Sequence, residues 1–280
     1  MLTQSATGIG RRVLMTTCMG VSGLHVAAQS MPPAPLPGPA LQVYAAGSLR
    51  APLTDIAGAF ELAKSVTVAL TFGASGLLRE RIEQGESAQV FASADTQHPE
   101  KLFGADASWQ KPVPMVRNKL CALANPKIKA TPANLLTLLL DPALKLGTST
   151  PGADPAGDYA WALFRRAEAV APGAYAALDA KARPLTGSAS TPQTPAGRGT
   201  YAWLMEEGRA DLFLTYCTNA MAAQKEVPRL SVVALPPALE VGAVYGVTAK
   251  GADAVATQFV QYLLSPAAQA VSARYGFGAP

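Results

Sequence analysis

The chain's 280 residues are 49% hydrophobic and 15% charged, a composition that excludes disorder as the default and accommodates one large domain or two lobes of roughly 100–150 residues. With 23 basic and 19 acidic residues the formal net charge is only +4, too even a balance for a nucleic-acid footprint.

The first residues read differently from the rest. Arg11 and Arg12 precede the uncharged run Val13–Val26, and the small pair Ala27-Ala28 follows. Basic, apolar and small residues in that order predict a secretory signal peptide over 1–28, too short for a membrane span. Cys18 lies inside it, without the Leu and small-residue lead-in of a lipid anchor. Cleavage near Ala28 removes Arg11 and Arg12 and no acid, which lowers the net charge to about +2. Of the histidines only His98 then remains, and of the cysteines only Cys121 and Cys217. Export permits these two to pair. The competing reading is two separate buried thiols in the strand-like runs KLCALA and FLTYC, and both readings stand on the sequence.

Residues 29–40, QSMPPAPLPGPA, have no periodicity and several prolines, and read as an extended linker. The body opens with a predicted strand Leu41–Ala46 and a helix over about Leu49–Lys64, which places Leu53, Ile56, Ala57, Phe60 and Ala63 on one face. Val66–Phe72 is a second β-branched strand, and Ser75 opens a helix stopped by Gly85. A third strand, Gln89–Ala92, leads through Ser93-Ala94-Asp95 into a short helix at Pro99–Phe103. Three consecutive strand-turn-helix units predict a parallel sheet. Met115–Asn125 is a longer strand, after which the pattern restarts. Helix Ala133–Leu140, strand Leu144–Thr148 and helices Pro155–Glu168, Ala174–Lys181 and Thr200–Glu207 follow. Strands Asp211–Tyr216, Leu230–Leu235 and Val241–Thr248 come next, then helices Ala252–Leu264 and Pro266–Tyr275. No repeat of fixed period is present.

Two stretches have the same construction. In LQVYAAGSLR and TFGASGLL a β-prone run ends in Gly and small residues, a Ser follows, and a helix begins. Ligands of open α/β sheets bind outside the carboxyl ends of strands, and a helix N-terminus favours an anion, so the turns holding Ser48 and Ser75 read as two halves of one anion site. The bland alternative is that Ser48, Ser75 and Ser93 are N-caps. Tyr216 alone would be a tyrosine buried at a lobe edge, Pro155-Ala156 an ordinary helix start, Asp95 the cap of the turn that follows it, and Arg198 a solvated loop residue. Enzyme readings find little support. Leu77 stands where a nucleophile elbow needs Gly, His98 precedes Pro99, and no HExxH, CxxC or Asp-rich metal loop occurs.

Taken in order, AAGSL, FGASGLL, VFASAD, DPAGDYA, LFLTYCTNA and LLSPAAQAVSARYGF make the chain from Leu41 to Phe277 resemble the periplasmic molybdate-binding proteins of ABC importers. The resemblance implies an α/β, two-lobe periplasmic-binding-protein fold of type II, with two crossing strands and a ligand cleft between the lobes. Residues 41–122 and 236–280 would form lobe I, and 123–235 lobe II. It places oxyanion contacts at Ser48 and Ser75 in lobe I, and at the Ala156 backbone and Tyr216 in lobe II. A further donor would come from the Ser-, Thr- and Pro-rich segment Gly187–Leu204, at Gly197, Arg198 or Gly199; alternatively that segment brings an extra hydroxyl or a guanidinium.

The expected function is capture of molybdate or tungstate in the periplasm for an inner-membrane ABC permease, by a monomer with no cofactor, no catalytic residue, no direct metal-cation ligand and no nucleic-acid partner. The alternatives are another oxyanion or small organic acid (sulfate, phosphate, carboxylate) in the same fold, a ligand-sensing interaction module, or an exported hydrolase built on Ser75. Hydroxyls and backbone N–H groups suit the task, because a dianion that loses its water needs a donor at each vacated contact, and hydrogen bonds to a charged acceptor contribute roughly 1.5–3 kcal/mol each.

Overall fold

The computed structural model describes residues 38–280. The predicted signal peptide, and all of the predicted linker except its last three residues, lie outside the described residues. Strand β1 (Leu41–Ala46) leads through a 3-10 turn at Gly47–Leu49 into α1 (Arg50–Lys64), and is followed by β2 (Val68–Gly73), α2 (Ser75–Glu83), β3 (Val90–Ser93) and α3 (Gln97–Ala105). β1 lies between β2 and β3 and is parallel to both. It is buried along nearly its whole length, as expected of a parallel strand with helices over both faces. α1 turns Pro52, Leu53, Ile56, Ala57 and Phe60 inward and ends where Ser65 adopts a left-handed conformation, φ 53°. Phe60 is wholly buried and meets Phe259 edge-on at 5.0 Å; burial of such a ring stabilises by about 2–3 kcal/mol.

The long strand β4 (Val113–Ala124) opens the middle of the chain. After it come α4 (Leu135–Leu140), β5 (Leu146–Ser149), α5 (Pro155–Val170), α6 (Ala174–Lys181), β6 (Ala182–Thr186), α7 (Thr200–Glu206), β7 (Leu212–Tyr216), α8 (Cys217–Glu226) and β8 (Ser231–Ala234). A 3-10 turn at Pro237–Leu239 then leads to β9 (Gly242–Ala249), α9 (Ala254–Leu263) and α10 (Pro266–Arg274). The strand order is β2-β1-β3-β9-β4-β7-β5-β6, with β8 on β4 as well.

β4 belongs to two half-sheets. Val113–Lys119 pair with β9, whereas Leu120–Ala124 pair with β7 on one side and Cys121–Ala124 with β8 on the other. The chain returns from the second half-sheet to the first between β8 and β9, through Pro236 and Pro237. These two passages give the mixed α/β, two-lobe architecture expected from the sequence.

Two elements had no counterpart in the sequence reading. β6 contains Pro184, which argues against a strand, but β6 ends the strand order and an edge tolerates the missing donor. α8 begins at Cys217, directly after β7, so the run FLTYC is strand only as far as Tyr216. The two cysteines are joined: Cys121 on β4 bonds Cys217 at the start of α8, with Cα atoms 4.8 Å apart. Closure of so long a loop stabilises by restricting the unfolded chain.

Candidate functional site

β1 and β2 run in register to their last residues, Ala46 opposite Gly73. The turns that leave them are therefore neighbours, and a Cβ built on Gly47 would stand 3.9 Å from the Gly73 carbonyl oxygen. This parallel pairing brings Ser48 and Ser75 to the same sheet end. Neither serine caps its helix: the N-caps of α1 and α2 are Leu49 and Ala74, with no side-chain capping bond.

Ser75 is the first residue of α2, is 1% exposed, and its Oγ accepts the Ala94 N–H at 3.1 Å. Ser48 Oγ is 2.9 Å from the hydroxyl of Tyr245 on β9. Asn118 Nδ2 donates to that same hydroxyl at 3.3 Å and to Thr218 Oγ1 at 2.9 Å, while its Oδ1 accepts the Lys119 N–H. The Lys119 contact fixes which end of the amide faces Tyr245. Either hydroxyl can be the donor in the Ser48–Tyr245 bond, since the Tyr245 oxygen can accept from Ser48 as well as from Asn118. Ser75, which accepts from the Ala94 N–H, keeps its own hydroxyl proton to donate.

From the second half-sheet, β7 delivers Tyr216. Its side chain is buried, its hydroxyl donates to the Ala94 carbonyl at 3.3 Å, and its ring lies 5.4 Å from that of Tyr245 and 6.1 Å from that of Tyr159. Burial raises both the Tyr216 and the Tyr245 phenols, which therefore keep their protons. α5 starts with Asp154 as N-cap and Pro155 as its first residue, so Ala156 points its N–H out of the helix start, where Asp154 Oδ1 accepts it at 3.1 Å. The loop before α5 meets α2 directly through a 2.9 Å hydrogen bond from the Gly76 N–H to the Ala153 carbonyl. A Cβ on Gly76 would come within 2.7 Å of the Ala153 and Gly152 oxygens, so only glycine allows this approach.

Ser48, Ser75, Tyr216 and Ala156 thus form one linked group. Gly197 and Arg198 do not join it. Gly197 is exposed in the turn before α7, and the Arg198 guanidinium is engaged by Glu226 (2.6 Å) and by Glu206. Glu226 also accepts the Gly199 N–H at 2.9 Å. The alternative in which Arg198 brings a guanidinium to the site is therefore corrected: Arg198 is an exposed loop residue held by two carboxylates. Asp95 caps the turn as expected, its Oδ1 accepting the His98 N–H at 3.1 Å, whereas Ser93 ends β3 and is structural without being an N-cap, its Oγ donating to that same oxygen at 2.8 Å.

The sequence reading missed three participants. Tyr245 lies in the predicted strand Val241–Thr248 with nothing local to single it out, and it reaches Ser48 only because β9 inserts between β3 and β4. Gly76 is one of many glycines until its neighbour across the two half-sheets is known. Asp154 did carry a signal, since an Asp before Pro at a helix start is a strong N-cap pattern. Its carboxyl is pushed up to about 6 by burial, against the Ala156 N–H, which favours the ionised form.

A family model described as bacterial extracellular solute-binding protein matches residues 41–278. The chain belongs to that family. Solute-binding proteins of this kind are extracytoplasmic components of ABC transport and are generally not enzymes. Among the relatives of this binding protein is an uncharacterized protein of Pasteurella multocida, 38% identical over 216 residues, covering 77% of this chain and 89% of that one. The molybdate-binding protein of Mycobacterium tuberculosis is 28% identical over 156 residues, 51% of this chain and 60% of that protein. Among solved structures, the periplasmic molybdate-binding protein of Azotobacter vinelandii aligns with TM-score 0.67 and 20% identity over 86% of this chain and 99% of that one. Peb3 with bound L-phospholactate also aligns with TM-score 0.67, at 18% identity over 86% of this chain and 100% of that one. At these identities the structural likeness speaks for the fold.

Proposed function

We propose that this binding protein captures a small oxyanion in the extracytoplasmic space, with molybdate or tungstate as the first candidates, and delivers it to an ABC permease. The observation that carries the reading is the pair of serine hydroxyls at adjacent strand ends, of which Ser75 already accepts the Ala94 N–H and keeps its own proton to give. Tyr216 and the start of α5 stand opposite from the second half-sheet. An anion that touches both sides would favour the closed arrangement by its differential affinity for it. The role needs no catalysis, and the predicted export of the chain agrees with it.

The test is isothermal titration calorimetry of ligand-stripped protein with molybdate, tungstate, sulfate and phosphate in turn. Micromolar or tighter binding of at least one of the four is the expected result, and the order among them tells a fully ionised dianion from an oxyanion that carries a proton. Binding of none would overturn the oxyanion reading. A second reading, in which the ligand is another oxyanion or a small acid bearing a hydroxyl, is favoured by one specific observation: the Asp154 carboxylate sits on the Ala156 N–H that an anion would use.

A further inference from the structure

Asp154 is held in place from several sides. Oδ1 accepts the Ala156 N–H at 3.1 Å. On its other side lies Gly187, whose φ is +88°, and a Cβ added there would meet Asp154 Oδ2 at 2.8 Å and Cβ at 2.6 Å. The hydroxyl of Ser149 at the end of β5 is wholly buried and has no hydrogen-bond partner. The charged groups that act on Asp154 are Asp158 of its own helix and Asp95 from the turn before α3, both acids. Asp154 in turn raises the phenols of Tyr201 on α7, Tyr216 on β7 and Tyr245 on β9. A carboxylate is thus built into the second-lobe side of an anion site.

We propose that Asp154 is a specificity-determining residue, favouring an oxyanion that carries a hydroxyl hydrogen, such as monohydrogen phosphate or a phosphorylated or hydroxylated organic acid, over a fully ionised dianion. The proposal rests on the oxyanion reading above. An ionised carboxylate can only accept hydrogen bonds. A ligand hydroxyl donates to it and turns a repulsive contact into a charge-assisted bond. Molybdate and sulfate at neutral pH have no proton to offer, and they bring acceptor against acceptor while competing for the Ala156 N–H. Discrimination of this type works by an element hostile to the wrong ligand as much as by one friendly to the right one.

The experiment compares wild type with Asp154→Asn by calorimetric titration with sodium phosphate, sodium molybdate and sodium sulfate at pH 7.5. Asn remains a good N-cap, and Asp154→Ser supplies a second carboxylate-free cap should Asn fail to fold. The ratio of molybdate to phosphate affinity is expected to rise about tenfold or more in the variant, since like-charge juxtaposition is removed. Molybdate binding gained only in the variant would support the proposal equally. If wild type binds either anion and the ratio is unchanged in both variants, Asp154 is not the selector and the oxyanion reading survives. If none of the proteins binds any of the three anions, the oxyanion reading itself falls and takes this proposal with it.

Discussion

The two sides of the candidate site are built from different chemistry. On the first half-sheet, two neutral hydroxyls stand at the ends of parallel strands, Ser48 against the Tyr245 hydroxyl and Ser75 accepting the Ala94 N–H. On the second, the N-terminus of a sixteen-residue helix, ordinarily the place for a ligand anion, already has the carboxylate of Asp154 on it. One side is a donor surface open to any oxyanion. The other asks what the oxyanion carries.

The largest effect should come from removing the donor side. Ser48→Ala with Ser75→Ala deletes two hydrogen bonds to a charged acceptor, each contributing roughly 1.5–3 kcal/mol, so oxyanion affinity should fall about a hundredfold or more by calorimetry. The fold should survive, because neither serine caps a helix, although the buried Ala94 N–H loses its acceptor. Undiminished affinity would remove both serines from the site.

Gly76→Ala attacks the contact between the two sides. Its new Cβ would lie 2.7 Å from two carbonyl oxygens, so the α2–Ala153 hydrogen bond must break. The expected outcome is a larger radius of gyration by small-angle scattering and affinity reduced by about tenfold. A compact variant with native affinity would show that closure does not run through Gly76.

Tyr216→Phe is milder, since the hydroxyl makes one long bond to Ala94 and the ring packing is retained; a loss of about tenfold or less is expected. No loss at all would make Tyr216 a packing residue only.

The carboxylate side has a signature in stability. The Asp154 carboxyl titrates near 6 in the folded protein and near 3.9 when unfolded. Its charged form is therefore disfavoured by folding at neutral pH, and the native state takes up the proton first as pH falls. Relative to Asp154→Asn, wild type should gain thermal stability between pH 7.5 and about 4 and no more below that. A difference independent of pH would place Asp154 in a wetter setting than its neighbours indicate.

The smallest effect belongs to Arg198→Ala. With its guanidinium on Glu206 and Glu226, its loss should leave oxyanion affinity unchanged. A marked weakening would bring the Gly187–Leu204 segment back into the site.

What was legible in the sequence was whatever is local. The strand-turn-helix units at Leu41–Lys64 and Val66–Gly85 follow from short-range periodicity and punctuation, and β1, α6 and the last two helices came within a residue or two of expectation. α8 was missed because an alanine-rich helix directly after a strand offers no break to read, and β6 because its edge position, which excuses Pro184, is a fact about the sheet.

The same division holds for the site. The sequence by itself determined that two seryl turns begin two helices, that Pro155-Ala156 opens a third, and that Tyr216 ends a strand, since each depends only on neighbours in the chain. Only the tertiary structure decided that Tyr245 orients Ser48, that Gly76 touches Ala153, that Cys121 bonds Cys217, and that Arg198 turns away to two glutamates. Those pairings join residues from distant parts of the chain, and a contact of that range is set by sheet order and close packing, which no local pattern encodes.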